Sequence, residues 1–431
     1  MLSLPPRWPK RILGPVPTLK ELNVLCWGLF LVGLVLPLYV ICQGQMQSGQ
    51  PLAEALNVDF VYFYGAGRIL NEYPAEKLYD YELEKRIWTE IHILKIGTYG
   101  PFPYPPFVAI LFRPFARLPY PTAYLLWLSI TLILYIGGIA VISSRFFPRD
   151  PLRQSLILCF ALAFYPFVIE TMINGHISAI GFFALALVIR EEDEGRPFLS
   201  GLALSTCLYK PTLMVLFLPM LFVTRRFRTL LGFAIGAAAL FLVTACAEGT
   251  RVWSGYLDVL LNFGKSAAGM TPGSFRWLLK YVDLNAFSAL VPGGRSWLGL
   301  GMLFAYAVWA ALWLVRVWWK SAGAGKPVGT LVWATTVTWT LLLNVYSPIY
   351  ESIFVVLGIV VTAAFLKNLP QGRLQRSLTP LWLLTFACSW ITKDLAQDWG
   401  FQILTVSLAA LGMLQLAVLR SILLPQPPHE G

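Results

Sequence analysis

A single carboxylate, Asp59, opens a long polar loop just beyond the first membrane-length apolar run, in the stretch Asn57-Val58-Asp59-Phe60-Val61-Tyr62-Phe63-Tyr64-Gly65-Ala66-Gly67. A carboxylate partly desolvated by aromatic neighbours has its pKa pushed upward, toward that of a working general base. On helical spacing Asp59, Tyr62, Phe63, Ala66 and Gly67 share one face, and flat aromatic faces such as that of Tyr62 are the usual partners of pyranose rings. A hydroxyl would be the natural proton source for such a base. The plainer alternative is a solvated loop charge.

Polar residues inside apolar runs carry the next signal, because a charge in hydrocarbon costs several kcal/mol unless it is paired or solvated. Lys210 lies near the middle of the run 198–222, in Leu208-Tyr209-Lys210-Pro211-Thr212. Pro211 removes a backbone donor and kinks the helix, and an ammonium beside a kink is a natural anchor for a lipid phosphate. Its plainer reading is snorkelling or an ion pair with Glu170. Glu170 and Asn174 are four residues apart and share a helix face, and Gly175-His176 follows. His176 reads either as a proton carrier or as a hydrogen-bonded interior residue. Tyr350 and Glu351 stand at a span end after 344–348, where Glu351 would hold an acceptor or pair with a cation. Arg276 is a phosphate candidate, whereas Lys393 and Asp394 read as a solvated span end.

Those residues belong to a chain of 431 that is 57% hydrophobic and only 13% charged, with a mean hydropathy of +0.66. A soluble domain carries about twice that share of charge. The apolar residues run uninterrupted for roughly 18–22 at a time, enough for a helix to cross a hydrocarbon core of about 30 Å. The chain therefore reads as an all-α polytopic membrane protein, one integral-membrane domain over 1–431. Spans are expected near 22–42, 105–118, 121–143, 153–170, 174–190, 198–222, 227–246, 297–316, 329–345, 350–366, 378–392 and 399–421, about twelve in all. The first run is too long for a signal h-region, lacks a small-residue cleavage site, and reads as an uncleaved span.

The net charge of +11 is topological in its distribution. Arg7, Lys10, Arg11 and Lys20, then Arg225, Arg226 and Arg228, then Lys367, Arg373 and Arg376 cluster at span ends, as the positive-inside rule demands. No basic-aromatic motif accompanies them, so nucleic acid is not an expected partner. With a cytoplasmic N-terminus the loops 224–228, 316–326 and 367–376 fall inside and the acidic stretch 191–194 outside. Arg145, Arg149 and Arg153 would also fall outside, against the rule. Two long loops, 43–104 and 247–296, face the outside. In the first, Leu83, Ile87, Ile91 and Leu94 recur at helical spacing opposite Glu82, Glu84, Lys85 and Glu90, with Trp88 beside them; that stripe over 81–96 suits an interfacial helix. The second carries Trp253, Tyr256, Phe263, Phe275 and Trp277 among Lys265, Arg276 and Lys280. The six cysteines show no metal or disulfide spacing.

In order, the motifs resemble the GT-C glycosyltransferases, specifically family 87, the polyprenyl-phosphate-mannose-type mannosyltransferases. The resemblance is carried by Asp59-Phe60-Val61-Tyr62, Pro74 to Tyr79-Asp80, Tyr104-Pro105-Pro106 with Pro114 and Pro119, and Asn174-Gly175-His176. It continues through Gly201, Lys210-Pro211-Thr212 and Arg225-Arg226 to Ser347-Pro348 and Tyr350-Glu351, and covers most of 55–360. It implies a GT-C-type bundle, Asp59 as the catalytic carboxylate and Lys210 as a donor-phosphate contact. The chain departs at His176, where many relatives carry Gln, and at Glu351, where many carry Asp.

The resulting expectation is an inverting hexosyltransferase, a mannosyltransferase by resemblance, in the plasma or inner membrane. It would move a sugar from a polyprenyl-phosphate donor to a lipid or glycan acceptor at the outer face, embedded among membrane lipids. Arg276 would assist Lys210 at the phosphate, while Tyr62, Tyr350, Glu351, His176, Asn174 and Glu170 would line the acceptor or sugar site. No Asp-x-Asp pair accompanies Asp59, so neither a metal nor another cofactor is expected. The competing class is a transporter or lipid flippase with Lys210, Glu170 and His176 on a midplane polar path. A non-catalytic envelope scaffold is a third.

Overall fold

A computed structural model of the chain describes residues 20–35 except 22 and 29, together with 59–91, 101–268, 278–291, 296–321, 326–344, 347–367 and 373–423. Leu94, the stretch 43–58, Phe275, Arg276 and Trp277 lie outside the described residues. Those described are helical without a strand, apart from an isolated antiparallel bridge between Tyr281 and Pro348. Five helices are long and apolar enough to cross a membrane: Tyr120–Phe146, Phe227–Glu248, Trp297–Ser321, Ile349–Lys367 and Ile403–Leu423. A sixth span results if Pro151–Leu162 and Pro166–Ile173, bent by 58°, count as one. These criteria do not establish the expected total of about twelve.

One expected span does not form. The run 105–118 folds as the seven-residue helix Pro106–Phe112 and a 3-10 turn, Phe115–Arg117. Seven residues rise only about 10 Å, a third of a hydrocarbon core. Pro114 and Pro119 end the segment on either side of that turn, and the chain restarts as the 27-residue helix Tyr120–Phe146.

A second expected span folds back on itself. The run 198–222 is broken into Pro197–Ser205, the 3-10 turns Thr206–Tyr209 and Pro211–Leu213, and Met214–Val223, with Lys210 between the turns. The break at Pro211 follows the sequence expectation. Both ends of this hairpin lie on one face: Arg196 pairs with Glu194 at 2.9 Å and Arg226 with Glu192 at 2.9 Å. Its first arm runs alongside the start of Phe227–Glu248, with backbones nearly touching. A Cβ on Gly201 would stand 1.9 Å from the Thr229 carbonyl oxygen, and one on Gly232 2.0 Å from that of Phe198. Lys210 is thus the tip of a re-entrant loop.

Ion pairs define the two ends of the bundle. Arg145 meets Asp193 at 2.5 Å, Thr330 donates to Asp193 at 3.0 Å, Arg226 reaches Ser321 at 3.4 Å, and Lys367 lies 3.9 Å from Asp150. A bond of 3 Å cannot cross about 30 Å of hydrocarbon, so the acidic stretch 191–194 shares a face with Arg225 and Arg226. The expectation that separated them is corrected, and Arg145, Arg149 and Arg153 join the same basic face. At the other end Arg113 pairs with Glu248, and Gly255 lies against Tyr79.

The amphipathic helix forms as Tyr81–Glu90, but its apolar stripe is spent on the protein. Leu83, Ile87, Trp88 and Ile91 are buried, and Trp88 fills the space over Gly65. Glu84, expected on the polar face, is buried too and accepts a 2.9 Å hydrogen bond from the Phe102 N–H. Burial pushes its carboxyl up to about 8. The folded form therefore binds this proton more tightly than the unfolded chain, and stability is lost as pH rises from about 4.5 through about 8. Glu84→Gln should flatten that slope in a thermal-unfolding series; an unchanged slope would exclude Glu84 as its origin.

Candidate active site

The centre of the site is the turn Asn174-Gly175-His176, which follows the π-helical segment Pro166–Ile173. Wide i→i+5 bonds carry the backbone through it, from Asn174 N–H to the Ile169 carbonyl and from His176 N–H to the Thr171 carbonyl. Gly175 has φ +68°, and a Cβ there would stand 2.7 Å from Phe60 Cβ. Glycine is needed twice over, for the left-handed backbone and for the approach of Phe60. That approach lets the Phe60 N–H donate to the Asn174 carbonyl at 3.0 Å, which fixes the start of the helix Phe60–Glu72 and with it Asp59. Trp127 donates to the Gly175 carbonyl at 2.8 Å, and Tyr124 to that of Ile173.

Four acids gather around this turn, and three of them are tied. Glu170 is buried and accepts from Tyr165 at 3.1 Å, from Asn174 at 3.1 Å and from Lys393. Glu351, fully buried at the start of Ile349–Lys367, pairs with Lys210 at 2.6 Å. Asp283 accepts from the Ala286 N–H at 2.8 Å and the Ser347 N–H at 3.0 Å, and burial raises its carboxyl to about 6. Asp59 is half-buried, does not cap its own helix, and has no side-chain hydrogen bond or ion pair among the described residues. Burial raises its pKa, and Glu170 adds to this, against the opposing charges of Lys280 and Lys393.

The pairing of Lys210 with Glu170 weighed from the sequence is replaced by Lys210–Glu351 and Lys393–Glu170. Lys393 is therefore no solvated span end, because its helix runs on to Trp399 and places the ammonium beside a buried acid. A lone apolar-run Glu requires a cation from some other helix, but nothing in the spacing names Lys393 as that cation.

His176 is a fixture rather than a free titrating group. Its Nδ1 faces the Ser178 N–H at 3.2 Å, which can only donate, so Nε2 carries the proton toward the Tyr104 hydroxyl at 2.8 Å. The ring stacks on Tyr350 at 3.5 Å between centroids, and the Lys210 Nζ lies 5.3 Å from the Tyr350 ring centre. Tyr104 and Tyr350 thus join Asn174, His176 and Lys210 in one cluster. Tyr62 packs edge-on against Trp88 at 5.0 Å, and Phe63, expected on the same helical face as Asp59 and Tyr62, is buried against Tyr104 and Phe112.

Lys280, named from the sequence only as one of the basic residues of the second long loop, has no role assigned to it there. The strip 280–283 is stitched to 347–349: Ile349 N–H donates to the Lys280 carbonyl at 2.7 Å, and Val282 N–H to the Ser347 carbonyl at 2.8 Å. Gln402 holds it from behind through the Leu279 carbonyl at 2.6 Å. Lys280 is exposed and makes no ion pair among the described residues. Among the described residues no three His, Cys, Asp or Glu side chains converge as a metal site.

Glycosyltransferase family 87 is the family whose model matches this chain, over residues 102–348. The match includes Glu170, Asn174, His176, Lys210 and Arg276, and leaves Asp59, Tyr350, Glu351 and Lys393 beyond its ends. No curated protein and no solved structure matches the chain.

Proposed function

The chain belongs to glycosyltransferase family 87 and is a membrane glycosyltransferase; on that premise we infer that it transfers a hexose, mannose by resemblance, from a polyprenyl-phosphate donor to a lipid or glycan hydroxyl with inversion. One observation carries the reading. Of the four acids at the site, Asp59 alone is free of ion pairs and side-chain hydrogen bonds among the described residues, while Glu170, Glu351 and Asp283 are held. A base must be free to take a proton. In the reaction the acceptor oxygen bonds to the anomeric carbon as the bond from that carbon to the phosphate oxygen breaks. The hydroxyl proton passes to the Asp59 carboxylate, and the electron pair leaves with the phosphate.

Charge on the departing phosphate is stabilised by fixed cations. Lys280 is the better placed of these, exposed and without an acid of its own, and Lys210 assists from the hairpin tip. Arg276 keeps the role expected for it from the sequence. Asn174, His176, Tyr350 and Glu351 shape the acceptor side, with Glu170 oriented by Lys393. Purified protein should move radiolabelled mannose from a synthetic polyprenyl-phosphate donor to membrane lipids. Transfer from a nucleotide sugar alone would overturn the donor assignment.

The basic face is read as cytoplasmic and the site face as external in the plasma or inner membrane. In a Cys42→Ser/Cys246→Ser background, which removes the exposed thiol among the described cysteines and Cys42, which lies outside the described residues, Ser254→Cys should react with a membrane-impermeant thiol reagent on intact cells. Thr224→Cys should react only after permeabilisation. The reverse pattern would place Asp59 in the cytoplasm and favour a nucleotide-sugar donor.

A further inference from the structure

On the basic face, away from the site, the helix Trp297–Ser321 carries a stripe at i, i+4, i+7 and i+11: Trp309, Trp313, Arg316 and Lys320. The stripe borders a shallow, open groove of about 540 Å³ along this one helix, with Leu312 and Trp319 beside it. Two guanidinium groups converge on one indole. The Arg316 Cζ and the Arg420 Cζ, the latter from the helix Ile403–Leu423, each lie 5.7 Å from the Trp313 ring centre.

Neither arginine, nor Lys320, has a carboxylate partner among the described residues, and all three are exposed. Elsewhere on this face Arg145, Arg190, Arg196, Arg226 and Lys367 are each within 4.0 Å of an acid, while Arg149, Arg225 and Arg228 are exposed and unpaired among the described residues but do not converge on a shared ring. Arg316 and Arg420, brought to one indole from two different helices, make a local concentration of positive charge that an anion seated between them would relieve.

The groove also has a direction. Its charged end, Arg316 to Lys320, lies toward Ser321, which Arg226 contacts on the basic face. Its apolar end, Trp309 and Leu312, lies deeper along the span. A molecule with a phosphate at one end and hydrocarbon at the other fits both ends at once, and a free phosphate would leave the apolar half uncovered. We propose that this groove binds one anionic glycerophospholipid of the basic-face leaflet, its phosphodiester between Arg316 and Arg420 over Trp313 and its acyl chain along Trp309 and Leu312. Being on the opposite end of the bundle from Asp59, it stands apart from the transfer reaction.

Native mass spectrometry of the purified full-length protein, offered phosphatidylglycerol and phosphatidylcholine with identical acyl chains, tests this. Wild-type protein should retain phosphatidylglycerol roughly tenfold over phosphatidylcholine, and Arg316→Gln/Arg420→Gln should abolish the preference. If that pair does not fold, Arg420→Gln alone leaves the Trp297–Ser321 helix untouched and should still reduce it. The control Arg149→Gln/Arg225→Gln removes two exposed charges from the same face outside the groove and should keep the preference. Equal retention of the two lipids overturns the proposal, as does an equal loss in the control, which would reduce the effect to net charge. Retention of polyprenyl phosphate in place of phosphatidylglycerol would overturn it as well.

Discussion

Asp59→Asn should lower sugar transfer by about 10²-fold or more while leaving the protein folded and membrane-inserted, because the substitution is nearly isosteric and removes only the base. The fold should tolerate it, since the Asp59 side chain neither caps its helix nor pairs with a cation among the described residues. The helix start is held instead by the backbone bond from Phe60 to Asn174. The wild-type pH profile adds a second measurement. Burial raises the Asp59 pKa, so the carboxyl holds its proton at pH values where an ordinary aspartate, near 3.9, has lost it. Activity that needs the ionised form is therefore lost as pH falls through this raised value. The acid limb of kcat/KM should lie above the ordinary aspartate range, and it should be absent from any residual Asp59→Asn activity. Near-normal turnover in the purified variant would remove Asp59 from the mechanism.

The membrane class, the break at Pro211 and the Glu170–Asn174 face were legible in the sequence because each is a local consequence of composition or spacing. Parity along the chain was not. Reading 105–118 as a span put Arg145, Arg149 and Arg153 on the wrong side, and reading the hairpin 197–223 as a single crossing restored the count for everything downstream. Two errors of opposite effect thus left the later basic loops in agreement and isolated the disagreement at one loop. Hydropathy cannot separate a crossing from a re-entrant pair of the same length; the close backbone packing at Gly201 and Gly232 is what distinguishes them. Partner choice was likewise hidden. The cation for Glu170 comes from Lys393, 223 residues away, and the orientation of Lys280 depends on a two-stranded stitch with no periodic signature. Glycine at position 175 had a readable reason only once Phe60 was seen against it.

Lys210 carries the second large effect, and its pairing with Glu351 decides how it must be tested. Lys210→Met keeps length and apolar volume but leaves Glu351 buried without its cation, which costs about 3–5 kcal/mol for a buried pair broken on one side. Loss of transfer in that variant alone would therefore say little about the donor. Lys210→Met with Glu351→Gln removes both charges and leaves an amide able to use the same cavity, so expression and thermal midpoint should return most of the way to wild type. Lys210→Met with Glu170→Gln should give no such recovery, because Glu170 belongs to Lys393 and the second change breaks a second pair. If Lys210 stabilises the leaving phosphate, the refolded double variant should still fall short by about 10²-fold in kcat/KM for the lipid donor, the size of loss that follows removal of one fixed electrostatic contact. Its acceptor dependence should change little. Full recovery of transfer along with folding would assign Lys210 to Glu351 alone and leave the phosphate to Lys280.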